Sequence, residues 1–316
     1  MKNIAALTFL LTVLPCWSVN ADPAPDYVRA RLKPGTLSSV GSDSMNDIME
    51  DWVEAYENLQ PAVEVNLVSR GSALAPAALI DGSANVGPMA RPMKEDELEL
   101  FVSRFGFEPT QIKTAVATVA VFVSEDNPVS ELSLSDLDSI FSRSVSRSDK
   151  ASKLWSEVSK DSGADEIVPV AVLETSPISL YFRQKVMLQG YFRDGINRVS
   201  GSESIFKAIE NDKRVIGFGP LVEPPKGVKL VAVKNSPTET AVIPSADIGD
   251  EMAYPLSRFL NLYVVQKPGE KLDSKTSDFL AFILSRQGQE LVESSGLLKL
   301  SQELLEQELT KISKSK

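Results

Sequence analysis

Residues 69–94 read "SRGSALAPAALIDGSANVGPMARPMK". A Gly-Ser pair opens the segment. A short apolar stretch then reads as a helix that starts near Ser72 and stops at Gly82, where glycine is the usual terminator. "NVGPM" returns as a brief buried strand edge before Arg91 and Pro92. The segment pairs no nucleophile with a base and has no metal-ligand spacing. Its flanks set the fold class. "AVEVNLVS" (62–69) precedes it with strand character, and "KEDELELFVSRFG" (94–106) follows as a helix with an acidic start and a terminal glycine. Strand, helix, strand edge and helix in succession argue an α/β fold.

The alternation extends in both directions. Upstream, "TLSSVGSDSMNDIMEDWVEAYENLQP" (36–61) reads strand, loop, helix. Met45, Ile48, Met49, Trp52, Val53 and Tyr56 fall on one helical face, and Asp43 or Ser44 is the expected N-cap. Downstream, "IKTAVATVAVFVSED" (112–126) is a long β-branched run, long enough to leave one lobe and enter another. "EIVPVAVLE" (166–174) predicts a strand and "TSPISLYFRQKVM" (175–187) a helix capped by Thr175 or Ser176. "VIGFGP", "KLVAVK" and "RFLNLYVVQ" predict further strands, and 274–296 one or two helices. "SIFK" at 204–207 matches the Ser-x-x-Lys of penicillin-binding sites, but no Ser-Asp-Asn or Lys-Thr-Gly accompanies it, and its spacing is that of an amphipathic helix.

Composition narrows the function. The 316 residues are 43% apolar, enough for a sizeable core, and the formal net charge of −10 with no basic run argues against a nucleic-acid binder. Residues 1–21 read as a secretory signal: Lys2, an apolar run from Ile4 to Leu14 too short to span a bilayer, and small residues ending at Ala21. Pro15 disfavours a lipid anchor on Cys16, so soluble export to the periplasm is expected. Cleavage removes Lys2 and the only cysteine, leaving 32 basic against 43 acidic residues, a net of −11, with no histidine. Disulfides, Cys/His zinc sites, cysteine nucleophiles and Ser-His-Asp triads are then excluded, and no enzyme is expected. Residues 22–35 are Pro-rich and polar, and read as a flexible leader.

What recurs is a strand, a loop carrying serine, and a helix that begins there. Helix N-termini present unpaired N–H groups and partial positive charge. Ser44, Ser72 and Ser176 are therefore candidate anion ligands as well as ordinary caps. Arg70, Arg91 and Arg183 are candidate counter-charges, with Arg91, before Pro92 in a polar kinked stretch, the best placed.

"GSDSM", the 69–94 segment, "FVSEDNPV", "LSLSDLDSIFS" and "VIGFGP" together resemble the periplasmic phosphate-binding proteins of bacterial phosphate ABC transporters. The resemblance runs in order through most of residues 36–300. It implies a type II periplasmic-binding fold of two α/β lobes with an anion in the cleft, held by backbone N–H groups, hydroxyls and one arginine. The implied lobes are 36–118 with 222–316, and 119–221. The implied partners are phosphate or a related oxyanion and an inner-membrane ABC permease. No cofactor, metal or nucleic acid is implied, and the protein is expected to be a monomer. Ser44 and the Met45 N–H match the family's first ligand loop and Ser72 the second, while Ala90 stands where Asp or Ser is common. The third loop, usually Arg-x-x-x-Ser-Gly-Thr, here has Val172, Ser176, Pro177 and Ile178. Only its serine is kept. Either another arginine, Arg70, Arg91 or Arg183, compensates, or the fold has changed its ligand. In the second case it would serve as a periplasmic interaction or sensing protein, with another small ligand or none.

Overall fold

The computed structural model describes residues 24–160, 162–245 and 253–313. The expected signal segment and Cys16 lie outside them. No helix among the described residues is long and apolar enough to cross a membrane. The chain begins with β1 (Gly35–Gly41), α1 (Asn46–Leu59), β2 (Val63–Ser69), α2 (Leu74–Asp81), β3 (Val86–Met89) and α3 (Glu95–Phe105). The long strand β4 (Thr110–Ser124) follows, then β5 (Glu131–Ser133), α4 (Leu134–Phe141), β6 (Val168–Val172), α5 (Pro177–Lys185), β7 (Asn197–Val199) and α6 (Ser202–Asn211). The remaining elements are β8 (Val215–Pro220), β9 (Val228–Leu230), β10 (Ala232–Lys234), β11 (Ser257–Val264), α7 (Ser274–Ile283), α8 (Arg286–Ser294) and α9 (Gln302–Ser313).

The strand order is β2-β1-β3-β11-β4-β8-β6-β7, with β9 also on β4 and a separate β10-β5 pair. β4 is the shared member. Residues 110–118 pair antiparallel with β11, and Val119–Val123 pair antiparallel with β8. On each side of it lie three mutually parallel strands, β2-β1-β3 and β8-β6-β7. Parallel strands joined through helices require both faces covered, hence the fully buried run of β4.

Two main apolar cores follow this division. One gathers Leu37, Trp52, Tyr56, Val86, Ile112, Leu262, Phe279 and Phe282; the other Val121, Phe141, Val170, Phe182, Ile205 and Phe218. The second core also contains Val228, Val231, Val233, Tyr254 and Leu256. This corrects the expected boundary at 222. After β8 the chain turns back to lay β9 beside Phe122–Ser124, so the described residues of 222–245 and 253–256 pack with the second core and the return to the first comes at 256–257. The described chain therefore passes between the cores twice, at 118–119 and 256–257, where Val119 N–H donates to Leu256 O at 2.9 Å.

The expected apolar face of α1 is buried, with Trp52 and Tyr56 fully enclosed and Trp52 Nε1 donating to Gly288 O at 2.9 Å. Its start differs from expectation. A 3-10 turn, Asp43–Met45, precedes the helix, and neither Asp43 nor Ser44 caps it through its side chain. Gly82 ends α2 with a φ of 79°, a left-handed conformation that explains the glycine there.

Within the expected leader, Tyr27 and Ala30 are tied to the first core, because a buried carboxylate collects them. Asp278 on α7 accepts from Tyr27 Oη at 2.7 Å, Tyr56 Oη at 2.9 Å, Gln60 Nε2 at 3.2 Å and Ala30 N at 3.3 Å. Tyr27 stacks edge-on against Phe282 with ring centroids 5.4 Å apart. Burial and the neighbouring Asp278 carboxylate push both tyrosine hydroxyls well above their usual pKa. Tyr27→Phe removes one bond to a charged acceptor, worth about 1.5–3 kcal/mol. Its melting temperature should fall by a few degrees and limited proteolysis should shift into residues 24–34. An unaltered melt and digestion pattern would show that the segment is held by its apolar contacts alone.

Candidate functional site

In open α/β sheets, ligands bind beyond the carboxyl ends of the strands, where strand order reverses. Here β1 is flanked by β2 and β3, and the loops leaving all three carry the sequence-predicted residues: Ser42–Met45 after β1, Arg70–Ser72 after β2, and Ala90–Arg91 after β3. Backbone bonds stitch these loops together. Arg70 N and Gly71 N both donate to Gly41 O at 2.9 and 2.8 Å, and Ser42 N donates to Pro88 O at 2.8 Å. Ala90 N donates to Ser72 Oγ at 3.2 Å, which leaves the hydroxyl proton of Ser72 available to an acceptor in the cleft.

These loops form one wall of a cavity of about 250 Å³ lined by Asp43, Ser44, Ser72, Ala90, Arg91 and Arg258, with Tyr181, Gln184 and Gln189 opposite. Ser44, Ser72, Ala90 and Arg91 are thus brought together. Met45 is fully buried beneath them in the 3-10 turn. The Ser44 N–H is occupied by Asp43 Oδ1 at 2.9 Å, and the Ser44 hydroxyl lies 3.0 Å from that of Ser42.

Five candidates fall elsewhere or are otherwise engaged. Arg91 reaches the cavity wall, but its guanidinium forms a two-pronged pair with Glu97 at 2.6 and 2.7 Å and also donates to Pro92 O. That pair raises the Arg91 pKa and lowers that of Glu97. Arg70 is exposed and does not line the cavity. Ser176 caps α5 by accepting from Ser179 N at 3.2 Å, an ordinary structural cap outside the cavity lining. Thr175 is exposed in the turn before it and lies outside the lining too. Arg183, considered as a substitute, donates to Gly190 O at 2.9 Å and faces Glu174 at 3.7 Å.

The positive charge of the cavity comes from a residue that pattern reading passed over. Arg258 is the second residue of β11, one step past the crossing at 256–257. Its guanidinium stacks over the Tyr181 ring at 4.2 Å, and Nη2 reaches Ser44 Oγ at 3.5 Å. Its Nε is buried without a hydrogen-bond partner, and it forms no ion pair among the described residues. Burial pushes its pKa down to about 10, so it stays protonated at neutral pH. A desolvated guanidinium aimed into a polar cavity is a costly arrangement unless an anion arrives. A single arginine in an apolar strand leaves no periodic signature, so only the fold could reveal it.

The facing wall explains the altered third loop. Val172 is buried in β6, Pro177 takes the first turn of α5, and Ile178 packs on the second core. The loop therefore seals the core. α5 instead turns its flank to the cleft. Phe182 enters the core while Tyr181 lines the cavity and donates from Oη to Ser257 O at 3.0 Å. Beyond the helix, Leu188 and Gln189 both hold left-handed backbone, φ 48° and 69°, which is uncommon for residues with side chains and sets Gln189 on the cavity wall.

Residues 30–287 match the family model of the PBP superfamily domain. The chain belongs to the PBP superfamily. Among PBP relatives, it is 34% identical to the phosphate-binding protein PstS of Pseudomonas aeruginosa over 98% of both chains. It is 23% identical to the protein SphX of Synechococcus elongatus over 90% of this chain and 83% of that one. Among solved PBP structures, a possible phosphate-binding protein from Planctomyces limnophilus superposes with a TM-score of 0.76 at 22% identity, covering 90% of this chain and all of the other. An ABC-type phosphate transport receptor from Vibrio cholerae gives 0.64 at 19% identity, covering 84% and 100%. These structural neighbours share the fold, the two-lobed α/β architecture expected from the sequence.

Proposed function

We propose that this protein captures phosphate or a related oxyanion in the periplasm and delivers it to an ABC permease in the inner membrane, acting by binding rather than by catalysis. The observation that carries the reading is Arg258, a buried guanidinium with no ion pair among the described residues, set beside Ser44 and Ser72 in the cleft. The name of the Pseudomonas aeruginosa relative, similar over nearly the whole length, supports phosphate as the anion. Ser44 and Ser72 donate hydroxyl protons, Arg258 supplies the charge, and Tyr181, Gln184 and Gln189 close from the opposite lobe, the one built on the second core. Export by the N-terminal signal and a monomeric state belong to the same reading.

Asp43 adds selectivity. Its carboxylate lines the cavity and repels a fully ionised anion, whereas a protonated phosphate can donate a hydrogen bond to it. Titration calorimetry of the mature protein should give saturable heat with phosphate and far less with sulfate. Asp43→Asn should narrow that gap at least tenfold by strengthening sulfate binding. Absence of heat and of any thermal shift at millimolar phosphate would overturn the proposed function. Unchanged discrimination in Asp43→Asn would remove Asp43 from selectivity.

A further inference from the structure

Beyond Arg258, the cleft continues into a second cavity of about 490 Å³. Ala90, Arg91, Tyr181, Gln184 and Arg258 line both cavities, so the two are contiguous across the Arg258–Tyr181 stack. The second cavity adds Arg147 and Lys185, and its described lining contains no carboxylate. Asp43 stands only on the first.

The two added cations are placed differently. Arg147 is fixed: Nε donates to Val186 O at 2.7 Å and Nη2 to Lys185 O at 2.8 Å, at the carboxyl end of α5. Those bonds aim the guanidinium but do not neutralise it, and it forms no ion pair among the described residues. Lys185, half-buried in the last turn of α5, has no ion-pair partner among the described residues either. A lone tetrahedral oxyanion at Arg258 leaves both charges unmatched. An anion with a second charged group would offer them a partner within the same continuous cleft.

We propose that the cleft accepts a condensed phosphate, with inorganic diphosphate the simplest case: one phosphoryl group at Arg258, Ser44 and Ser72, the other between Arg147 and Lys185. This rests on the anion-binding reading above and names a ligand class for the same cleft. The altered third loop fits it. An α5 that seals the core at its amino end and presents its flank and carboxyl end leaves the cleft open toward Arg147 instead of closing on a single phosphate.

The test is calorimetry of the mature protein with phosphate, diphosphate and methyl phosphate, a monoester without a second anionic group. Diphosphate is expected to bind at least tenfold more tightly than phosphate or methyl phosphate. Lys185→Gln should erase most of that preference and Lys185→Glu should reverse it, with phosphate affinity changed less than twofold in each. Arg147→Lys, which keeps the charge but loses the fixed fork, should lower diphosphate affinity alone. Phosphate binding with diphosphate excluded, or a preference untouched by Lys185→Glu, overturns this proposal and leaves the phosphate reading standing. A methyl phosphate affinity equal to that for diphosphate overturns it in favour of a cavity for neutral substituents. Silence with all three anions fails the phosphate reading itself.

Discussion

Arg258→Met should all but abolish anion binding while raising the melting temperature of the ligand-free protein. The two effects share one cause. The guanidinium sits with Nε buried and unbonded, and its pKa is pulled down by loss of solvent, so the empty protein bears the cost of an unmatched charge. Methionine fills similar space against Tyr181 without that cost, which lifts a desolvation penalty from the folded state. Among the described lining residues of the smaller cavity, an anion would keep only Arg91 as a cation, and Arg91 is committed to Glu97. Truncating one member of a buried charged pair costs about 2–5 kcal/mol, roughly thirtyfold to several thousandfold in affinity. Calorimetry and a thermal melt on the same preparation test both halves. Near-native affinity would transfer the anion to another cation, and a lowered melt would mean that Arg258 supports the fold.

Gly41→Ala should cost about 3 kcal/mol or more, the upper end of what overpacking costs and a large share of the 5–15 kcal/mol that a native fold possesses. The added Cβ would stand 2.1 Å from Pro88 O and 3.0 Å from Pro88 Cδ, both on the neighbouring strand β3. The strands must part to admit it. That breaks the Ser42 N–Pro88 O bond, and it disturbs Gly41 O, which holds Arg70 N and Gly71 N. Melting temperature should drop by roughly 10 °C, and phosphate affinity should fall further than stability requires, because the Ser44 and Ser72 loops lose their common anchor. A melt within 2 °C of the parent would mean that β1 and β3 give way locally at little cost.

Much of this architecture is legible in the chain because it is written in local patterns. The α1 face from Met45 to Tyr56, the Gly82 terminator and the β-branched run of β4 each carry their own signal, and the structure follows them. The placement of Ser44, Ser72 and Ala90 on one wall of the candidate cavity is legible for the same reason: each follows the end of a parallel strand. What escaped depends on distant contacts. Arg258 becomes a cleft residue because β11 lies between β3 and β4. Tyr27 is held by Asp278, 251 residues away. The lobe boundary moved to 256–257 because β9 pairs back onto β4, a register that no local pattern encodes. Arg91 looked free because its partner Glu97 lies in the next helix, where an acidic first turn is also what helix electrostatics favours.

The position of Arg258 has a mechanical consequence. It lies within two residues of one of the two places where the described chain passes from one core to the other, and Tyr181, from the far side, bonds to the residue just before it. A ligand seated there would act close to the crossing strands, where any turning of one half against the other would have to hinge. A short input arm converts a small local displacement into a large excursion at the outer ends, as a key turned at its stem swings its tip. Occupancy of a site a few ångströms across can in this way be legible to a partner that touches only the outer surface.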